Sequence, residues 1–440
     1  MKLKNCIKLA VIIACCAPAF AFATNGYFSH GYGMKAKGMA GASTAMADDA
    51  FGGASNPAKM VFVGDRIDFG ADLFSPRRSV SRQGETGFGG LYNGSADSDS
   101  RYFVIPEFGY NKLINPNLSL GVTVYGNGGM NTDFNSTLAG PSFAPVCAGA
   151  PANMLLGCGR LGVDMMQLIV APTVAFKVNA SNSLGISPLI GYQRFKVDGL
   201  QAFTVISSAP TAVTNLGYDS STGWGVRVGW MGKLSDSVTL GAAYASKMKM
   251  GKFDKYRGLF AEQGGFDIPE NYNAGIAVKA NPQTTVAFDV QRINYGKIPS
   301  IANGVLNSLA NPAGCPLGSA CGSGFRWQNQ TVYKLGIEHQ YNQAWTLRAG
   351  FNYGKSPIGD SANDISFNII APGVVEKHLT LGLTYKTSSG GELTLAYMHA
   401  FTNTVTGPSA ITTFAGGANF GTESLKMYQN SLGVAYGWKM

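Results

Sequence analysis

The sequence predicts an all-β membrane protein: a fourteen-stranded antiparallel transmembrane barrel with an N-terminal, partly helical hatch plugging its lumen. Three observations carry this. Only 13% of the 440 residues are charged, about half of the roughly 25% usual in soluble proteins. No run beyond residue 24 approaches the ~18 apolar residues of a spanning helix, while 11% aromatic residues argue against disorder. From residue 64 onward the chain falls into segments of period-two alternation, joined by connections that are short and long by turns. A strand with one face to lipid and one to a lumen has that period.

The N-terminus reads as an exported leader. Lys2, Lys4 and Lys8 precede the apolar stretch Leu9 to Ala17, and Ala21-Phe22-Ala23 resembles a cleavage site. Removing residues 1–23 takes the formal charge from +9 to +6. Residues 24–62 lack sustained alternation. They are rich in Gly, Ala and Met, with Met34, Met39 and Met46 in short helix-like pieces that end near Asn56-Pro57. Nearly forty small and apolar residues ahead of a barrel need a place to be buried, and the lumen is the one available.

Residues 63–440 form the predicted barrel. Its strands are 66–77, 101–113, 118–129, 163–178, 183–197, 222–234, 238–248, 270–280, 284–296, 327–340, 345–354, 376–386, 391–401 and 425–439. Leu118, Leu120, Val122 and Val124 share one face of their strand, and Ser119, Gly121, Thr123 and Tyr125 the other. Six connections are tight and rich in turn residues, among them Asn115-Pro116-Asn117 and Asn281-Pro282-Gln283. Seven are long. An even strand number with six short turns and seven long loops places both termini in the periplasm of an outer-membrane barrel. Trp224, Trp230, Trp327, Trp345, Tyr385, Tyr436 and Trp438 near strand ends fit the interfacial girdles. The chain ends at Met440 rather than on the aromatic residue common at such ends, but Leu432, Val434, Tyr436 and Trp438 keep the outward register expected by the barrel-assembly machinery.

The four remaining cysteines fall into two local pairs, Cys147 with Cys158 and Cys315 with Cys321. In an oxidising periplasm they are candidate loop disulfides. Neither pair has C-x-x-C spacing, and the four histidines are not spaced as ligands, so neither a metal nor another cofactor is expected. No G-x-S-x-G is present, and His399 has no evident Ser or Asp partner, so the chain does not read as an enzyme.

One stretch carries a family resemblance. Gly31, Gly33, Gly38, Met39, Ala40, Gly41 and Ala42 form a G-x-G-x4-G-M-A-G-A run, followed by Ala47-Asp48-Asp49-Ala50 and by Asn56-Pro57-Ala58. This pattern resembles the FadL/TodX family of outer-membrane transporters of long-chain fatty acids and hydrocarbons. The likeness is specific over 24–63 and one of layout over the rest. It implies that the N-terminal segment is a hatch containing the Asn56-Pro57-Ala58 triplet, and that a hydrophobic small molecule binds near the mature N-terminus. It also implies lateral release into the membrane at a kink in the third strand, by passive diffusion. Thr24, Asn25, Tyr27, Phe28, Met34, Met39 and Met46 are then candidate ligand contacts. Gly126, Asn127, Gly128 and Gly129, at the end of the third strand, either permit that kink or end the strand.

Other candidates come from composition and register. The external segment 131–161 is apolar for a solvent loop, and Phe143, Val146, Met154, Leu155 and Leu156 form either an external landing site or the loop's own core. Inward-facing Arg227 and Arg348 could hold a substrate carboxylate, or pair with Glu107, Asp289 and Glu338 in the same register. The cluster Lys247, Lys249, Lys252, Lys255 and Arg257 could meet lipopolysaccharide phosphates or simply be a solvated rim. Expected partners are thus a hydrophobic solute, outer-membrane lipid and lipopolysaccharide. Nucleic acid is not expected, and the chain should act as a monomer.

Overall fold

The protein is described here by a computed structural model covering residues 24–440. The predicted leader 1–23, with Cys6, Cys15 and Cys16, lies outside the described residues. Fourteen long strands make the wall: β1 Arg66–Gln83, β2 Phe103–Asn115, β3 Leu118–Phe134, β4 Leu161–Lys177, β5 Asn182–Asp198, β6 Asp219–Lys233 and β7 Val238–Ala245 form its first half. β8 Asn271–Asn281, β9 Thr284–Ile293, β10 Gln330–Gln340, β11 Trp345–Gly354, β12 Lys377–Lys386, β13 Gly391–Pro408 and β14 Thr422–Lys439 complete it. Each pairs antiparallel with the next, and β14 pairs with β1 from Thr422 opposite Gln83 to Lys439 opposite Arg66, which closes the barrel. Among the described residues no helix is long and apolar enough to cross a membrane.

The alternation read from the sequence is the alternation of the wall. Leu120, Leu347, Leu381, Leu395 and Leu432 are exposed on the outer face, whereas Ser119, Thr123, Thr380 and Thr394 on the inner face are buried. Strand lengths are uneven. β1, β13 and β14 have 18 residues each and β3, β4 and β5 have 17, but β9, β11 and β12 have 10. Crossing the hydrocarbon layer takes about 9–11 residues. The surplus therefore stands above the membrane on the side with the long loops, since the short turns fix the other end. This is where strand limits read from sequence fall short: β1 continues past residue 77, β3 past 129 and β13 past 401. Trp327 differs too. β10 begins at Gln330, so Trp327 lies off the wall, buried, with its indole N–H on Asn368 Oδ1 at 2.7 Å; it is not a girdle residue.

Both disulfides are formed, Cys147–Cys158 with Cα atoms 5.9 Å apart and Cys315–Cys321 with 5.3 Å. Residues 24–63 pack inside the ring of strands. They contain a short helix α1, Met34–Gly38, and two 3-10 turns, Gly52–Ala54 and Pro57–Phe62. The wall meets this segment with glycine. Gly382 of β12 lies against the Cα of Gly38, Gly350 of β11 against the Met39 backbone, Gly185 of β5 against Pro57, and Gly433 of β14 against the Met34 sulfur. A side chain at any of these would occupy space the segment fills.

Candidate functional site

The N-terminal segment has a body and a tip. In the body, cations of the segment meet carboxylates of the wall. Lys37 Nζ lies 3.0 Å from Asp72 and 3.4 Å from Glu107, and Lys35 Nζ lies 2.6 Å from Glu392, which also pairs with Arg66 at 2.7 Å. Burial works against the charge on Lys37, but Asp72 and Glu107 outweigh it and raise its pKa. Asp289 accepts three hydrogen bonds on one oxygen, from the Ser43 and Thr44 backbone N–H groups at 2.9 Å and from Thr44 Oγ1 at 2.6 Å. Thr380 Oγ1 accepts from Ala40 N at 2.9 Å and donates to Gly38 O at 3.0 Å.

The Asn56-Pro57-Ala58 triplet has a local explanation. Asn56 caps the second 3-10 turn by accepting from Ala58 N at 3.1 Å, with Pro57 at the first position, where a missing N–H costs nothing. Its amide nitrogen donates to Thr44 O and to Trp230 O of β6, both at 2.9 Å. One fully buried side chain thus ties the turn to the rest of the segment and to the wall. Ala58 is also fully buried, and its carbonyl accepts from Ser183 Oγ at 2.9 Å.

The tip is built differently. Residues Thr24–Asn25 pair with Phe28–Ser29 around Gly26, whose φ of 65° favours glycine, and Phe28 bridges to Gly128 of β3. Tyr27 and Phe28 are buried, and Tyr27 packs on Phe28, Tyr295, Trp327 and Phe266 with ring centres 5.3, 5.3, 5.9 and 6.4 Å away. Tyr295, from the loop after β9, donates its hydroxyl to Asn25 O at 2.6 Å and accepts from Tyr27 N at 3.2 Å. Burial pushes the Tyr295 pKa well above its ordinary value, so the phenol keeps the proton it donates. Beside this cluster is a cavity of about 30 Å³ bounded by Gly26, Tyr27, Phe74, Arg78, Trp327 and Met427.

The third strand bends beneath the tip. β2 pairs with β3 only as far as Phe108 opposite Val124; above that, residues 103–107 of β2 pair with β1 alone. β3 itself continues to Phe134 on β4, with a bulge at Asn127 between Gly126 and Gly128. Residues 125–132 are buried without alternation, so both faces of this stretch are covered. Asn127 Nδ2 donates to Gln167 Oε1 at 2.9 Å, and Gly128 approaches the Tyr27 carbonyl too closely for any side chain. The glycines therefore do not end the strand. The strand runs on through them with one bulge, and the β2–β3 edge is unpaired above Val124.

Not every sequence candidate sits at this opening. Met34 and Met39 are buried against the wall glycines, and Met46 packs with Ala42, Ala45, Ala277 and Ala287. Arg348 is paired, 2.6 Å from Glu338, and donates to Thr384. Arg227 donates to Gly53 O at 2.9 Å and lies 3.4 Å from the Tyr125 hydroxyl, so it holds the segment and not a lumenal acid. In the loop after β3, of the two alternatives it is the loop's own core that the packing favours: Met154, Leu155 and Leu156 are fully buried, and Phe143 packs on Phe88, Tyr92 and Phe420. Only Val146 of that set stands in solvent. The loop has its own core because neighbouring loops cover it. The five rim cations from Lys247 to Arg257 are all exposed. Four residues at the tip escaped the sequence reading: Phe266, Tyr295, Trp327 and Arg78. The first three lie in long loops or at a misjudged strand end; Arg78 shares the inward register of Phe74 one residue beyond the predicted end of β1.

At the opposite end of the lumen, next to the short turns, is a larger cavity of about 230 Å³. Lys35, Asp48, Arg66, Glu338, Arg348 and Glu392 line it, so the route from the body toward that end is strongly charged.

The family model for outer membrane protein transport proteins (OMPP1/FadL/TodX) matches residues 10–436. The long-chain fatty acid transport protein of Escherichia coli K12 is 23% identical, covering 90% of this chain and 92% of its own. Two solved structures share the fold. The toluene transporter TodX of Pseudomonas putida has a TM-score of 0.67 at 17% identity, with 93% of this chain and 99% of its own covered. A FadL homologue from Pseudomonas aeruginosa has 0.67 at 16% identity, with 94% and 99% covered. With a closed fourteen-stranded barrel and a match over nearly its whole length, the chain belongs to the FadL/TodX family of outer-membrane transport proteins, which are channels and not enzymes.

Proposed function

We propose that this protein carries hydrophobic small molecules, long-chain fatty acids or hydrocarbons of the kinds named for its relatives, by passive diffusion gated by residues 24–62. In this reading the segment is a hatch, and solute entering among the external loops reaches the aromatic tip around Tyr27, then leaves sideways into the membrane. The observation that carries it is the unzipped β2–β3 edge above Val124, with the bulge at Asn127 and the tip bridged to Gly128. The charged cavity at the turn end supports the same direction, because an apolar solute gains nothing by entering it. The exposed cations at Lys247 to Arg257 are then suited to lipopolysaccharide phosphates around the entrance.

Deleting Asn127 removes the bulge and lets β3 resume its register. Uptake of radiolabelled oleate and of toluene by cells that depend on this protein should fall to background while the barrel still inserts. Unchanged uptake would exclude lateral release. A large, steady single-channel conductance of the intact protein would instead favour a general-diffusion pore.

A further inference from the structure

Five arginines of the described strands face inward, Arg66, Arg78, Arg82, Arg227 and Arg348, and they differ in one respect. Arg66 has Asp68 and Glu392. Arg82 is fully buried, with Glu423 Oε1 2.5 Å away. Arg348 has Glu338. Arg227 is spent on a carbonyl of the N-terminal segment and lines a polar cavity shared with Asp289. Arg78, on the same face of β1 as Arg82, is 6% exposed and has no carboxylate partner among the described residues. Its Nη2 donates to Ser100 O at 2.9 Å, its guanidinium carbon lies 6.0 Å from the centre of the Phe103 ring, and its Nε has no acceptor among the described residues. It borders the cavity at the tip, whose other sides are Phe74, Tyr27, Trp327 and Met427.

Removing a guanidinium from water without an anion is costly, and an unpaired buried charge is normally neutralised or supplied with a partner. Arginine cannot take the first course, since it does not lose its proton in proteins. Here the missing partner has a place to sit. The open Nε and an adjacent Nη form the planar fork that accepts a carboxylate side-on. Apart from the Asn131 amide and the Tyr27 hydroxyl, the side chains of the cavity are apolar, among them Phe74, Met130, Trp327 and Met427. A cation at one edge of an aromatic and thioether pocket matches a molecule with an anionic head and a hydrocarbon body. A neutral hydrocarbon would fill the apolar part and leave the guanidinium as it is.

Resting on the transport reading above, we propose that Arg78 is the head-group anchor of this site, so that the preferred substrate class is a long-chain carboxylate and not a neutral hydrocarbon. The cavity of about 30 Å³ has room for the head group alone. The hydrocarbon part takes space now occupied by the tip, so carboxylate binding at Arg78 displaces Tyr27 and its neighbours.

The test uses the full protein in detergent, with oleate and methyl oleate as probes of equal tail, read by equilibrium binding of the radiolabelled compounds. The native protein should bind oleate at least about 10-fold more tightly than its ester, the scale of a charge-assisted hydrogen bond. Arg78→Gln should weaken oleate about 10- to 100-fold and leave methyl oleate within twofold, with Arg78→Lys between the two. Equal binding of acid and ester by the native protein overturns the proposal without needing any variant. An acid-to-ester ratio unchanged in Arg78→Gln overturns it as well. Neither outcome touches the transport reading, which fails instead when neither probe binds and neither enters cells.

Discussion

The body and the tip of the N-terminal segment occupy the same lumen but are held by different physics. The body is fastened to strands of the wall by buried ion pairs, by Asp289 on two backbone N–H groups and by Asn56, which bonds Trp230 O of β6 while bracing the segment itself. The tip rests on ring contacts, one bridge to the bent part of β3, and a tyrosine from an external loop. Hydrogen-bonded charges in a dry interior have few alternative arrangements, whereas aromatic faces tolerate sliding. The difference teaches that forty residues of one segment can combine a body with few alternative seatings and a tip whose contacts permit several.

The largest effect should come from the body. Lys37→Ala strands two buried carboxylates, Asp72 and Glu107, at a cost of about 3–5 kcal/mol. We expect steady ion conductance through single channels and protease cleavage within 33–62; a silent, resistant variant would mean that these pairs do not hold the seal. Asn56→Ala removes three hydrogen bonds, roughly 1 kcal/mol each. Intermittent conductance is the expected record, weaker than for Lys37→Ala.

Tyr295→Phe acts on the other side of the comparison. It deletes only the hydroxyl that holds Asn25 and Tyr27, about 1–2 kcal/mol in total. Amide exchange should quicken at residues 24–29 with no added conductance. If this variant leaks as Lys37→Ala does, body and tip are one unit and the distinction falls.

The smallest effect should be that of pH on His30, which is fully buried in the segment. Burial, and then His378, Lys37 and Lys334, hold its pKa well below the ordinary value. Released from the lumen, the imidazole would take up a proton near pH 6.5, while docked it stays neutral. The undocked form therefore binds more protons below that pH, and docking weakens as pH falls through it. Protease sensitivity of 24–62 should rise modestly from pH 8 to pH 5 and lose that dependence in His30→Asn.

The wall was legible in the sequence because two solvents, lipid outside and a packed lumen inside, impose a strict period of two. Leu120 against Ser119, or Leu381 against Thr380, states the side each faces without any partner strand being known. The Asn and Pro turns were legible for the same local reason. What period two does not encode is where a strand outgrows the membrane. Pro76-Arg77-Arg78 looks like a strand end by composition, yet β1 runs on to Gln83, and that hid Arg78. Loop residues were hidden differently. Tyr295 and Trp327 meet Tyr27 across some 270 to 300 positions of chain, and their neighbours in sequence carry no trace of the encounter. Leu155 and Leu156 left two readings open, because apolar loop residues signal an exposed patch only when nothing covers them.

The inner-wall glycines also tie distant parts of the chain to one another. The segment precedes every strand of the wall in the chain, yet its seats are spread from Gly185 on β5 to Gly350 on β11, Gly382 on β12 and Gly433 on β14. Its full set of seats exists only where the final strand meets the first, so the closed ring and its contents complete one another.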